Sequence, residues 1–325
     1  MGDEDVAAFR AALLHWYDVQ GRDLPWRVRD GKADPYRVWL SEVMLQQTTV
    51  AHGTPYWERF TAAFPTICDL AETPTERVMG MWAGLGYYAR ARNLHLCAKR
   101  VCQDMGGEFP TREAELLELP GIGPYTAAAI AAICGEEAAN VVDGNVERVV
   151  ARLFAVARPL PRARAELRRL AGTLVRPERP GDYAQALMDL GATLCRPKRP
   201  SCPNCPVRAW CAARREGEPE RYPAKTPKAP LPVRRGTAWV ARDGRRVWLE
   251  RRPESGLLGG MLGFPTTEWV EGAPPQAGPS VRHTFSHFHL ELTVERSEPR
   301  GEGAWYPVEV VETLPSLMKK VWKAA

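Results

Sequence analysis

Leu119–Ala127 reads LPGIGPYTA and runs directly into the alanine-rich Ala127–Ile133. Gly121 and Gly123 permit a tight turn with no side chain over the backbone. The stretch therefore predicts a glycine hairpin feeding a helix. Its backbone N–H groups and the helix N-terminus would be open to an anion such as a phosphate. An ordinary helix–turn–helix connection is the plain alternative.

From Val6 to about Leu194 apolar residues recur with a helical period, as in Val146, Val149, Val150 and Leu153. Short clusters such as Asp34-Pro35 and Gly84-Leu85-Gly86 interrupt it, so many helices with brief connections are expected. Arg214–Pro232 has five prolines, alternating charge and little to bury, and reads as an extended linker. Beyond it, Gly236–Arg251 gives two β-rich runs around Asp243-Gly244, His289–Glu295 alternates like a strand, and Thr313–Lys323 reads as a short helix. The fold class is thus multidomain: an all-α catalytic region over 1–213, a linker over 214–232 and an α+β domain over 233–325.

Charge is unevenly placed. Residues 195–228 carry nine basic and three acidic side chains, against a whole-chain net of +5. This short basic stretch suits a local phosphate-facing surface, or a solvated linker flank. No run reaches the roughly 18 apolar residues of a membrane span, and the acidic start MGDEDVAAFR is unlike a secretory signal. A cytoplasmic, nucleoid-associated monomer with no membrane contact is expected.

Eight cysteines in such a chain argue against a disulfide framework and for metal or redox chemistry. Cys68, Cys97, Cys102 and Cys134 are expected to be buried thiols. Cys195, Cys202, Cys205 and Cys211 instead form C-x6-C-x2-C-x5-C among four prolines, a rigid loop around one centre. Zinc and a [4Fe–4S] cluster both accept four thiolates, and the spacing leaves both open.

That cysteine loop, together with LPGIGPYTA, resembles the endonuclease III and MutY families of helix-hairpin-helix DNA glycosylases. The resemblance implies a [4Fe–4S] cluster, a six-helix barrel with the hairpin over about 24–137, and a cluster subdomain formed by the N-terminal helix and 138–213. It further implies a hairpin gripping a DNA phosphate through Gly121 and Gly123, with a bound Na, K or Ca ion. Arg196, Lys198 and Arg199 fall where the cluster loop meets DNA. Tyr125 occupies the place where the bifunctional endonuclease III type has a Schiff-base lysine, which points to the monofunctional MutY type.

Trp39–Thr48, WLSEVMLQQT, sets Glu42 among apolar neighbours, and burial raises a carboxyl pKa toward that of a useful acid, a surface helical glutamate being the plain alternative. The string matches the MutY motif, whose glutamate protonates adenine N7. Asp143 precedes a helical period and reads first as an N-cap. The superfamily places the aspartate that stabilises positive charge at C1′ downstream of the hairpin, and Asn145 is its candidate partner. The resemblance assigns Trp26, Arg27 and Gln185 to the adenine pocket, with core packing the alternative for Trp26. It assigns Gln47, Thr48, Leu85 and Tyr87 to the wedge that fills the extruded base's place, Tyr87 also suiting core packing.

The second domain resembles the Nudix-like recognition domain of the MutY family, with Phe285, Ser286 and His287 matching the loop that reads 8-oxoguanine. Thr266–Gly272 lacks the Glu-rich metal-binding helix of a working Nudix hydrolase. The whole implies a monofunctional DNA glycosylase of base excision repair. It would flip out and hydrolyse adenine mispaired with 8-oxoguanine or guanine in double-stranded DNA, leaving an abasic site.

Overall fold

The computed structural model describes every residue except 30, 227, 228, 254 and 255. It divides into two compact units, Met1–Glu72 with Leu94–Pro227 and Thr73–Asn93 with Lys228–Ala325. Among the described residues no helix is long and apolar enough to cross a membrane.

The first unit is helical. Asp3–Gln20 buries Val6, Phe9, Leu13, Leu14, Trp16 and Tyr17 against Gly144–Leu153 and Pro180–Thr193, which supply Val146, Val149, Val150, Tyr183, Leu187 and Leu190. Fully burying such side chains is worth about 1.5–3 kcal/mol each, which fixes these three helices as one scaffold. Gly191 allows their close approach, since a Cβ there would lie 2.6 Å from the Asn145 Cβ. Helix Pro124–Cys134 is buried over most of its surface because its alanines let neighbours close in from several sides.

The thiol expectation is corrected for Cys68 and Cys102, which form a disulfide with their Cα atoms 5.2 Å apart. One lies in helix Ile67–Glu72 and the other in helix Ala89–Asp104, 34 residues on, so no local spacing signals the pair. Cys97 and Cys134 remain thiols, each pushed up to about 12 by burial.

Arg214–Pro232 is not extended throughout. Tyr222 is buried, its carbonyl accepts a 3.0 Å bond from Arg152 Nε, and Leu160 N donates to Ala224 O at 2.9 Å. Packing on the helical unit therefore anchors the first part of this segment. Residues 227 and 228 lie outside the described residues.

In the second unit, strand Val233–Val240 runs parallel to His289–Arg296, from Val233 opposite His289 to Val240 opposite Arg296. Val270–Glu271 and Ser280–Thr284 flank that pair antiparallel. A second sheet centres on Arg246–Arg251, paired with Arg242–Asp243, Leu262–Gly263 and Gly303–Pro307. The turn at Asp243-Gly244 is present, with Gly244 at φ +56, but it joins only the short Arg242–Asp243 to Arg246–Arg251. The long run before it belongs to the other sheet. Helix Ser316–Ala324 contributes Leu317, Met318 and Val321 to a core with Phe264, Phe288, Leu290 and Leu292.

Candidate active site

Helix Pro35–Leu45 starts on Asp34, whose carboxylate accepts a 2.9 Å bond from Tyr36 N, and Pro35 fits the first turn. It buries Val38, Trp39, Leu40, Val43 and Met44, and this leaves Glu42 on the wall of a cavity of about 580 Å³. Tyr125, in the first turn of the hairpin helix, lines the same cavity and donates to Glu42 Oε2 at 2.7 Å. Burial pushes the Glu42 carboxyl up to about 7. The Tyr125 hydrogen bond and the Arg27 charge pull against that rise, and the Asp143 charge adds to it. The same burial, with Glu42 beside it, raises the Tyr125 phenol well above its ordinary value, so it remains a donor.

Asp143 also lines the cavity. It is an N-cap, with Oδ1 accepting from Val146 N at 2.7 Å, and its Oδ2 accepts from Asn145 Nδ2 at 2.8 Å. Two donors fix the carboxylate, so capping and presentation to the cavity are done by one side chain. Arg148 holds Asn145 in turn, giving Nη2 to Asn145 Oδ1 at 2.8 Å and to Gly191 O at 2.7 Å, and Nε to Cys195 O at 2.7 Å.

Trp26, Arg27 and Gln185 all line the cavity. Trp26 is buried and packs edge-on against Trp57, with ring centroids 5.7 Å apart, so wall and core are a single role. Arg27 is clamped by Asp189, a residue absent from the expectations. Both guanidinium nitrogens reach its two oxygens at 2.7 Å, and Arg22 adds Nε at 2.6 Å and its backbone N–H at 2.8 Å. Burial alone would raise the Asp189 carboxyl, but Arg27 and Arg22 hold it below the usual carboxylate range. Only the spacing of Asp189 from Gln185, one helical turn, could have drawn attention to it.

Gln47 and Thr48 line the cavity too, and Gln47 holds left-handed backbone at φ +58. Outside the cavity, the hairpin turns at Gly121, φ +77, burying Ile122 and exposing Gly121 and Gly123. A Cβ on Gly123 would meet nothing within 4 Å, and its φ of −94° suits any residue. Neither packing nor conformation within the chain calls for glycine there, so the open backbone is free to meet a ligand.

Cys195, Cys202, Cys205 and Cys211 ring one small cavity with Arg152. Among the described residues no group of three or more His, Cys, Asp or Glu is set to hold a metal ion directly. Arg152, also absent from the expectations, is fully buried. It donates to Cys195 Sγ at 3.2 Å, to Arg196 O at 2.8 Å and to Pro197 O at 3.1 Å. Four thiols around one space, with a buried cation on one sulfur, fit an anionic thiolate-bound cluster. Arg196, Lys198 and Arg199 are exposed on this loop.

The remaining candidates gather in the second unit. Tyr87 is 51% exposed at φ +48, and its hydroxyl is 3.1 Å from Ser286 Oγ. Left-handed backbone at a non-glycine residue costs about 1–2 kcal/mol and is concentrated at functional positions. Phe285 stacks on Trp269 at 5.8 Å and 24°, which supports the loop from beneath, while Ser286 and His287 are exposed. Leu85 is buried.

Residues 40–173 match the HhH-GPD superfamily of base excision DNA repair proteins, and residues 237–324 match the NUDIX domain. The class is therefore that of a helix-hairpin-helix base excision repair glycosylase with a Nudix-like second domain. The adenine DNA glycosylase of Homo sapiens is 38% identical over 98% of this chain and 74% of its own length. That of Rattus norvegicus is 40% identical over 98% and 75%. The chain belongs to the adenine DNA glycosylase family and is an adenine DNA glycosylase of base excision repair. Among solved structures, a thermostable thymine-DNA glycosylase is similar, with TM-score 0.59, 30% identity, and coverage of 66% of this chain and 98% of that one. A non-covalent endonuclease III–DNA complex shares the fold, with TM-score 0.56, 21% identity, and coverage of 67% and 98%.

Proposed function

We propose that the chain hydrolyses the glycosidic bond of adenine paired with 8-oxoguanine or guanine, with Glu42 as the acid and Asp143 as the anion. Breaking this bond leaves a poorly leaving base and an oxocarbenium-like sugar, so one carboxyl must give a proton and another must carry charge. The observation that carries the reading is the 2.7 Å Tyr125–Glu42 bond in the cavity that Asp143 shares. A carboxyl pushed to about 7 is still half protonated near neutrality. Asp143, held by two donors, is fixed for the developing cation at C1′. An adenine stacked in duplex cannot reach this cavity, so the nucleotide must be extruded. Trp26 supplies a wall, and Arg27 and Gln185 supply polar edges.

Tyr125 offers a phenol where a lyase would present an amine, and among the described residues no lysine lines the cavity. Base removal should therefore leave an intact abasic strand. A [4Fe–4S] cluster, when bound by Cys195, Cys202, Cys205 and Cys211, would stiffen the loop that presents Arg196, Lys198 and Arg199 to DNA. An alkali or alkaline-earth ion would sit at the hairpin's open backbone near Gly121 and Gly123. Ser286, beside Tyr87, would sense the N7–H and O8 that separate 8-oxoguanine from guanine.

Single-turnover excision on 8-oxoguanine:adenine and guanine:adenine duplexes tests this. Wild type should prefer the oxidised partner, Ser286→Ala should lose that preference, and Glu42→Gln should release no adenine. Borohydride should trap no covalent complex on abasic DNA. Equal rates on both duplexes for wild type would overturn the lesion reading, and efficient trapping would overturn the monofunctional one.

A further inference from the structure

Carboxyl groups and arginines share the wall of the catalytic cavity. Glu42, Asp143 and Glu147 bring three carboxyl groups to its wall. Two of the lining arginines, Arg22 and Arg27, are committed to Asp189. That leaves Arg164 and Arg168, one turn apart on helix Arg164–Gly172, both exposed and both lining the cavity. Leu167 and Ala171, which neighbour the two arginines round the helix on its core side, are buried and hold that edge in place. Arg164 Nε lies 3.2 Å from Glu147 Oε1, and among the described residues no carboxylate lies within 4 Å of Arg168. A deoxynucleoside seated between Glu42 and Asp143 carries a phosphate a few bonds from C1′ on either side. Those phosphates must pass the Asp143–Glu147 flank, where Glu147 is already paired with Arg164 and a phosphate would compete for the same guanidinium.

We infer that Arg164 and Arg168 bind the two phosphates flanking the extruded deoxyadenosine, with Arg164 exchanging Glu147 for phosphate when DNA arrives. The inference rests on the proposed seat of the nucleoside between Glu42 and Asp143. The pair forms a phosphate site separate from the hairpin and from the cysteine loop. It confers no base preference, because phosphate contacts position the strand and do not read it.

The test measures binding of the full-length protein to a duplex with non-hydrolysable 2′-fluoro-2′-deoxyadenosine opposite 8-oxoguanine, over a range of salt. Each phosphate neutralised contributes about −0.9 to the slope of log K against log salt, so Arg164→Gln with Arg168→Gln should make the slope shallower by about 1.8. Lysine at both positions should restore most of it. Arg169→Gln removes the same charge from the same helix at a position that does not line the cavity, and should leave the slope at the wild-type value. A double glutamine variant with wild-type melting temperature and wild-type slope would overturn the inference. So would an Arg169→Gln effect equal to that of Arg168→Gln, which would reduce the pair to general surface charge. If Glu42→Gln and Asp143→Asn both excised adenine at the wild-type rate, the seat of the nucleoside would be wrong whatever the slopes, so the two failures are distinguishable.

Discussion

Replacing Tyr125 with phenylalanine tests the proton chemistry most directly. The phenol gives Glu42 a 2.7 Å hydrogen bond that favours the carboxylate, against the burial that holds its pKa at about 7. A hydrogen bond to a charged group contributes about 1.5–3 kcal/mol, and one pKa unit is 1.36 kcal/mol. Removing it while the cavity keeps its walls should therefore raise the Glu42 pKa by about one to two units. An acid catalyst works only while protonated, so the wild-type rate should fall as pH rises through about 7. In Tyr125→Phe that alkaline limb should move to higher pH. The assay is single-turnover adenine excision with enzyme in excess, from about pH 5 to 9, which isolates chemistry from product release. A limb that stays in place, or moves down, would refute the assignment of Glu42 as the titrating acid.

Three further outcomes follow from the same geometry. Because the folded Glu42 pKa lies above the ordinary carboxyl value, this residue lowers stability as pH rises through the interval up to about 7. Glu42→Gln should therefore raise the melting temperature at pH 8 more than at pH 5, by a free energy of at most roughly 3 kcal/mol. Equal gains at both pH values would count against the raised pKa. Asp189→Ala leaves Arg27 buried without its carboxylate and should cost about 3–5 kcal/mol in denaturant unfolding. That difference should be full above the ordinary carboxyl pKa of about 3.9 and shrink as pH falls through the depressed folded value. The Cys68–Cys102 bond spans 34 residues, and closing such a loop in the unfolded chain stabilises by about 3–4 kcal/mol. Cys102→Ser should melt lower than the oxidised protein by a corresponding amount, and coincident melts would show the bond absent in solution.

Much of the helical unit was legible because its signals are local. The glycines of LPGIGPYTA and the apolar period after Asp143 each act within a few residues, so the turn and the cap could be read directly, while the helix starts at Pro124, ahead of the expected Ala127. In the second domain strands and the C-terminal helix were legible, but not how the strands pair. The parallel pairing of Val233–Val240 with His289–Arg296 brings together segments about fifty residues apart, and alternation within a strand says nothing about its partner. The Asp243-Gly244 turn misled for the same reason: it fixes two short strands, while burial sends the preceding run to the other sheet.

By itself the sequence determined the kinds of chemistry present: a glutamate among apolar residues, a phenol just after the glycine hairpin, a capping aspartate and four clustered cysteines. Only the tertiary structure decided which of these meet. It set Tyr125 on Glu42, locked Arg27 and Arg22 onto Asp189, buried Arg152 against Cys195 and joined Cys68 to Cys102. Each of these contacts spans tens of residues and depends on two elements closing to a few ångströms. Helical period and turn chemistry fix where an element lies along the chain. The packing of one core against another fixes the distance between side chains, and pKa, charge balance and catalysis follow from that distance.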